Sequence, residues 1–186
     1  MKEIAKRLID VGVIRLKTDR STPEASEEKC LFKSNFHKAY NDFGTSTCIE
    51  SALESLVEEL CKTFVFNDDF AIVCTSITVA GWGYCVAQNR SQTKFSYVLN
   101  SVKKLTFSGY SPRKRDKVVV LTDCVMSDYS VCNMVTAMRR EGIIVIGVVA
   151  IVCAGNKKMK NIFSAAHIRV MTATDLDELR NVAKQR

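Results

Sequence analysis

The chain has 186 residues, 47% hydrophobic and 25% charged, an ordinary globular composition with enough length to bury a substantial core. Its 27 Lys and Arg against 20 Asp and Glu leave a net charge of +7. No apolar run approaches the roughly 20 residues that span a bilayer, and charges interrupt the N-terminal stretch, so membrane and secretory readings give way to a cytoplasmic or nuclear one.

In chain order, Ile4, Leu8 and Ile9 predict a short helix, followed by an extended Val11–Leu16 segment. Residues 18–46 are polar and turn-rich. Thr47–Phe64 is amphipathic: Ile49, Leu53, Leu56, Val57 and Leu60 recur at three and four, with glutamates on the other side. Phe70–Val79 reads as a strand, Gly81-Trp82-Gly83 as a turn packing Trp82 onto the sheet, and Tyr84–Ala87 as its hairpin partner. Phe95–Leu105 reads as a helix, with Tyr97, Val98, Val102 and Leu105 on one side, and Ser108–Asp116 as a loop.

The remainder alternates cleanly. Strand 117–122 is followed by helix 129–140, strand 143–152, a short helix Lys158–Ala165, a strand Ile168–Met171 and a terminal helix Asp175–Lys184 capped by Thr174 or Asp175. Such alternation implies a three-layer αβα sandwich around a mostly parallel, doubly wound sheet of about six strands, a Rossmann-like arrangement. With no repeat and no linker, residues 1–186 read as a single domain.

The eight cysteines contain no C-x-x-C pair and there are only two histidines, His37 and His167, so the thiols read as reduced and mostly buried. The densest charge, Arg113, Lys114, Arg115 and Lys117, can contact nucleic acid or an acidic partner, or stand as a solvated loop. There is no G-x-x-x-x-G-K-[ST], no G-x-G-x-x-G and no Ser/His/Asp arrangement.

The feature that points to a site is Thr122-Asp123, a carboxylate at the C-terminal lip of a buried strand, where open α/β sheets bind ligands. Thr122-Asp123, Ser127-Asp128, Gly142-Ile143-Ile144-Val145 and Asp175-Leu176-Asp177-Glu178-Leu179 follow the order and spacing of the C-terminal half of a von Willebrand factor A domain. That resemblance covers about seventy residues, and residues 1–40 match poorly. It implies a metal-ion-dependent adhesion site holding Mg²⁺ through Asp42, Ser46, Thr93 and Asp123, with Asp19 as the other candidate for the first loop. The implied function is a non-enzymatic intracellular module whose protein partner completes the metal shell with an acidic residue.

The same strand–acidic loop–helix also resembles the phosphoribosyltransferase motif Asp-Asp-x-x-x-Thr-Gly-Gly-Ser. Its equivalents here are Thr122-Asp123 and Ser127-Asp128-Tyr129-Ser130, with one acid gone and both glycines replaced. A degenerate enzyme of that kind, or a nucleic-acid-associated subunit using the basic loop, is the alternative reading.

Overall fold

The four-residue apolar run Ala71–Cys74 and the longer runs Lys117–Val125 and Ile144–Cys153 form neighbouring strands at the middle of a sheet. The computed structural model describes residues 2–16, 32–63, 69–90, 94–100, 105–126, 130–154 and 157–185. In order the elements are α1 (Lys2–Asp10), β1 (Ile14–Leu16), β2 (Phe32–Ser34), α2 (His37–Tyr40), α3 (Phe43–Thr63), β3 (Ala71–Cys74), α4 (Ile77–Gln88), β4 (Lys94–Asn100) and β5 (Thr106–Gly109). They continue with β6 (Lys117–Val125), α5 (Ser130–Arg140), β7 (Ile144–Cys153), α6 (Lys157–Ala165), β8 (Val170–Asp175) and α7 (Leu176–Lys184).

Six strands run in the order β5-β4-β3-β6-β7-β8, parallel except for the β4–β5 pair, and β1 and β2 form a separate antiparallel pair. Period-2 alternation sends Ile72, Cys74, Val119 and Leu121 to one face and Ala71, Val73, Val118 and Val120 to the other. The first face packs on α1, α3, α4 and α7, and the second on α5 and α6. This is the expected layered, doubly wound sheet. Among the described residues no helix is long and apolar enough to cross a membrane.

The crossovers place the site. From β3 the chain passes through α4 to β4 on one side, whereas from β6 it passes through α5 to β7 on the other. Strand order therefore reverses between β3 and β6, and helices on opposite faces both begin at the same edge.

Residues 32–46, expected to be turn-rich, hold β2, α2 and the start of α3, and β8 lies later than the expected Ile168–Met171; two further differences bear on the site. Strand β3 stops at Cys74, and Ile77–Gln88 is a helix containing Gly81, Trp82 and Gly83, with no turn and no hairpin. The glycines serve close packing. A Cβ on Gly83 would lie 2.2 Å from Cys74 Sγ, and one on Gly81 would lie 2.9 Å from the Tyr40 hydroxyl. Trp82 is buried between them, stacked on Tyr40 with ring centroids 4.1 Å apart, and its Nε1 donates to Ser46 Oγ at 2.9 Å.

The second difference lies in Phe95–Leu105, where β4 occupies residues 95–100 of the expected helix, and β5 follows at Thr106–Gly109. Phe95 and Tyr97 alternate with Ser96 and Val98 across the sheet, a period-2 pattern in which Tyr97 and Val98 face opposite ways.

The Gly83 contact yields a stability test. Gly83→Ala should destabilise the protein by about 1–3 kcal/mol through overpacking, and Cys74→Ala in the same chain should recover most of the loss. Urea unfolding of the single and double variants checks this; equal stability of Gly83→Ala and the parent would contradict the packing.

Candidate functional site

Strands β3 and β6 pair in parallel, Cys74 opposite Leu121, and the pairing extends past the strand end through Thr75 N–H donating to Leu121 O at 2.9 Å. One step further the hydroxyls of Thr75 and Thr122 hydrogen-bond at 2.9 Å, and Thr122 Oγ1 also reaches Cys124 O at 3.3 Å. Beyond this lacing opens a cleft of about 310 Å³. Ser34 of β2, Thr75, Ser76, Thr122, Asp123 and Ser130 supply its polar wall, and Val131 and Met134 of α5 its apolar one.

Three features define what the cleft can hold. Helix α4 starts there with Ser76 as an extended N-cap residue, φ −152° and ψ 163°, whose buried hydroxyl has no partner among the described residues. Helix α5 starts there at Ser130. The first amides of a helix lack intrahelical acceptors and carry the positive end of its dipole, so two such ends make an anion site. Asp123 brings the opposite charge: its Oδ1 accepts from Cys124 N–H at 2.8 Å. Burial pushes the Asp123 carboxyl up, more than the backbone amides of Cys124 and Asp123 and the Thr122 hydroxyl lower it. Helix N-termini beside the Asp123 carboxylate suit a ligand that carries phosphate together with hydroxyls or a cation.

The other predicted metal ligands lie elsewhere. Asp42 accepts from Thr45 N–H at 2.7 Å and caps the first turn of α3, and hydrogen bonds from Thr45 hold its carboxyl below the usual range. Ser46 Oγ is taken by Trp82. Neither lines the Asp123 cleft, because α3 follows the short helix α2 where a metal-site loop would follow a central strand. Thr93 and the alternative Asp19 lie outside the described residues. No cluster of three or more His, Cys, Asp or Glu side chains suited to a metal occurs among the described residues. Arg113, Lys114, Arg115 and Lys117 sit at the opposite end of β6, away from the cleft.

Thr75, Ser76 and Ser34 were not among the residues expected from sequence. Reading Phe70–Val79 as one strand hid the corner at which Thr75-Ser76 begins a helix. Ser before a helical stretch is an N-cap signature and was the available signal.

No family profile matches the chain. Over 98% of its length it is 29% identical to orotate phosphoribosyltransferase of Streptococcus agalactiae, covering 86% of that protein. Orotate phosphoribosyltransferase from Aeropyrum pernix superposes with a TM-score of 0.71 at 16% identity, covering 95% of this chain and 96% of that one. Leishmania donovani UMP synthase superposes with a TM-score of 0.72 at 15% identity, over 99% of this chain and 38% of that one. The fold is that of the type I phosphoribosyltransferases.

This corrects the von Willebrand resemblance and the non-enzymatic adhesion module it implied. The matched strand–acidic loop–helix–strand segment is a unit that doubly wound sheets share, and seventy residues of it did not separate the two folds.

The buried Asp123 carboxylate gives a pH test with a definite sign. A folded pKa above the unfolded one means that Asp123 ionisation costs stability as pH rises past the ordinary carboxylate value near 4. Asp123→Asn should therefore melt higher than the parent near pH 7, with the difference vanishing near pH 3. Melting temperatures across that range check it; a variant less stable at neutral pH would show that the charge is compensated.

Proposed function

We propose that the chain is an orotate phosphoribosyltransferase-like enzyme whose cleft at the β3–β6 switch point binds 5-phosphoribosyl 1-pyrophosphate. The observation that carries this reading is the convergence of the α4 and α5 N-termini with Asp123 on one cleft. The near full-length similarity to orotate phosphoribosyltransferases supports it.

In the transfer, the bond from the anomeric carbon to pyrophosphate breaks, a bond to a pyrimidine nitrogen forms, and the proton of that nitrogen is released to solvent. The helix ends attract the phosphoryl oxygens. Asp123 accepts from ribose hydroxyls, an arrangement that favours its ionised form despite its burial. Thr122 stands where the motif's first acid belongs, and its hydroxyl is already engaged with Thr75 and Cys124 O, so Asp123 carries the acidic role alone.

The oxygen donors of the cleft fit a hard dication, which is commonly held by one or two carboxylates together with substrate phosphates. Asp123 would hold Mg²⁺ with the pyrophosphate, and the ion would neutralise charge on the leaving group.

In sequence, Asp128 and Tyr129 stand at the two glycine positions of the motif, where glycines would expose amides to phosphate; both lie outside the described residues. Restoring Asp128→Gly with Tyr129→Gly should tighten phosphoribosyl pyrophosphate binding about tenfold or more, as expected for removing a like charge worth about 1.4 kcal/mol.

Calorimetric titration with phosphoribosyl pyrophosphate and Mg²⁺, followed by assay of pyrophosphate release with orotate, tests the function. Saturable binding in the parent, lost in Asp123→Asn, is the expected result. No binding at millimolar ligand by either the parent or the glycine-restored chain would overturn it.

A further inference from the structure

At the other end of the sheet, residues 113–117 and 139–142 carry six cations (Arg113, Lys114, Arg115, Lys117, Arg139 and Arg140) against two carboxylates, Asp116 and Glu141. That surplus of four sits within nine residues of a chain whose whole net charge is +7. The two segments are far apart in sequence, and the fold joins them. Arg115 N–H donates to Gly142 O at 2.8 Å and Ile144 N–H donates to Asp116 O at 2.8 Å. Gly142, at φ +80°, leaves room for the Lys114 stem, whose Cγ would lie 2.8 Å from a Cβ there. Arg139 donates to the carbonyls of Ala166 and His167 at 2.6 and 2.9 Å, bringing the exposed His167 to the same surface.

We infer that this basic surface binds the phosphate backbone of a nucleic acid, independently of the phosphoribosyl cleft at the opposite end of the strands. Arg113, Lys114, Arg115 and Arg140 are exposed, and Arg139, also exposed, holds the Ala166 and His167 carbonyls beside them. Among the described residues no carboxylate forms an ion pair with Lys114, Arg115 or Arg140. The Arg115 backbone is fixed by its hydrogen bond to Gly142 O, and Arg140 lies in the last turn of α5, so less backbone ordering opposes binding.

A compact anion fits this region poorly. The small adjacent cavity of about 130 Å³ is lined by the carboxylates of Asp69 and Asp116 as well as by Lys94, Arg115 and Lys117. Lys94 there is already paired with Asp69 at 2.6 Å. An extended polyanion can instead meet the outward cations one phosphate at a time, releasing counterions as it does.

The experiment is fluorescence anisotropy of the full chain with labelled RNA and DNA duplexes of about 20 base pairs, between about 50 and 200 mM salt. Binding is expected with a log–log salt slope of about −4, for four to five neutralised phosphates. The triple variant Lys114→Glu, Arg115→Glu, Arg140→Glu should bind at least about a hundredfold more weakly at low salt and lose about three units of slope. A control with the same charge change, Lys6→Glu, Arg180→Glu, Lys184→Glu on the exposed sides of α1 and α7, should bind like the parent.

RNA and DNA arms that differ identify which duplex is preferred, and either one supports the inference. No binding at low salt, equal weakening by the control, or equally effective competition by polyglutamate would overturn it. Phosphoribosyl pyrophosphate binding should be unchanged in the triple variant, so failure here and failure of the cleft are separately visible.

Discussion

The parallel pairing of β3 with β6 is the constraint from which the rest follows. It sets Cys74 against Leu121 in the buried middle of the sheet and carries on through Thr75 N–H to Leu121 O and the Thr75–Thr122 hydroxyl pair. Because α4 and α5 leave these two strands on opposite faces, the pairing holds two helix N-termini open over one gap. A slip of one residue would turn Ile72 and Val119 away from the α3–α4 face and destroy both packing layers. Core and cleft are thus fixed by the same register.

Within the gap, charge is arranged at a cost. No Lys or Arg of the described residues forms an ion pair with Asp123, and burial raises its pKa. Ser76, with a buried hydroxyl and no partner among the described residues, is a second unfilled demand beside the first turn of α4. The positive surface lies away from both, at the entries to β6 and β7. The fold therefore separates two regions of different character: a cleft where two helix N-termini meet a carboxylate, and an open surface of long cationic side chains.

Much of the C-terminal half was legible because local pattern and tertiary demand agree there. Val118–Leu121 is buried on both faces, α5 has one apolar stripe, and Asp175 caps α7 by accepting from Glu178 N–H at 2.9 Å. The middle was misread where they disagree. Ile77–Val79 is rich in β-branched residues and runs on from a strand, yet it is helical, with Gly83 packed closely against Cys74 of β3. Glycines 81 and 83 signal intimacy with Tyr40 and β3, information that exists only once the chain is folded. Asp123 lies two residues before the end of β6, but the residues that share its cleft come from the corner at Thr75-Ser76, from α5 and from β2, which a local motif does not reach. The strand–acidic loop–helix pattern was sufficient to place a ligand edge and insufficient to choose between two folds that both contain it.

The most direct test of the central claim is an amide chemical-shift titration of the folded chain with pyrophosphate and Mg²⁺. If the switch-point cleft is the ligand site, the largest saturable shifts fall on the amides at the starts of α4 and α5 (Ile77, Thr78 and Val131) and on Cys124, which bonds Asp123. Shifts confined to other surfaces, with these amides unmoved at saturation, would contradict the assignment of the cleft.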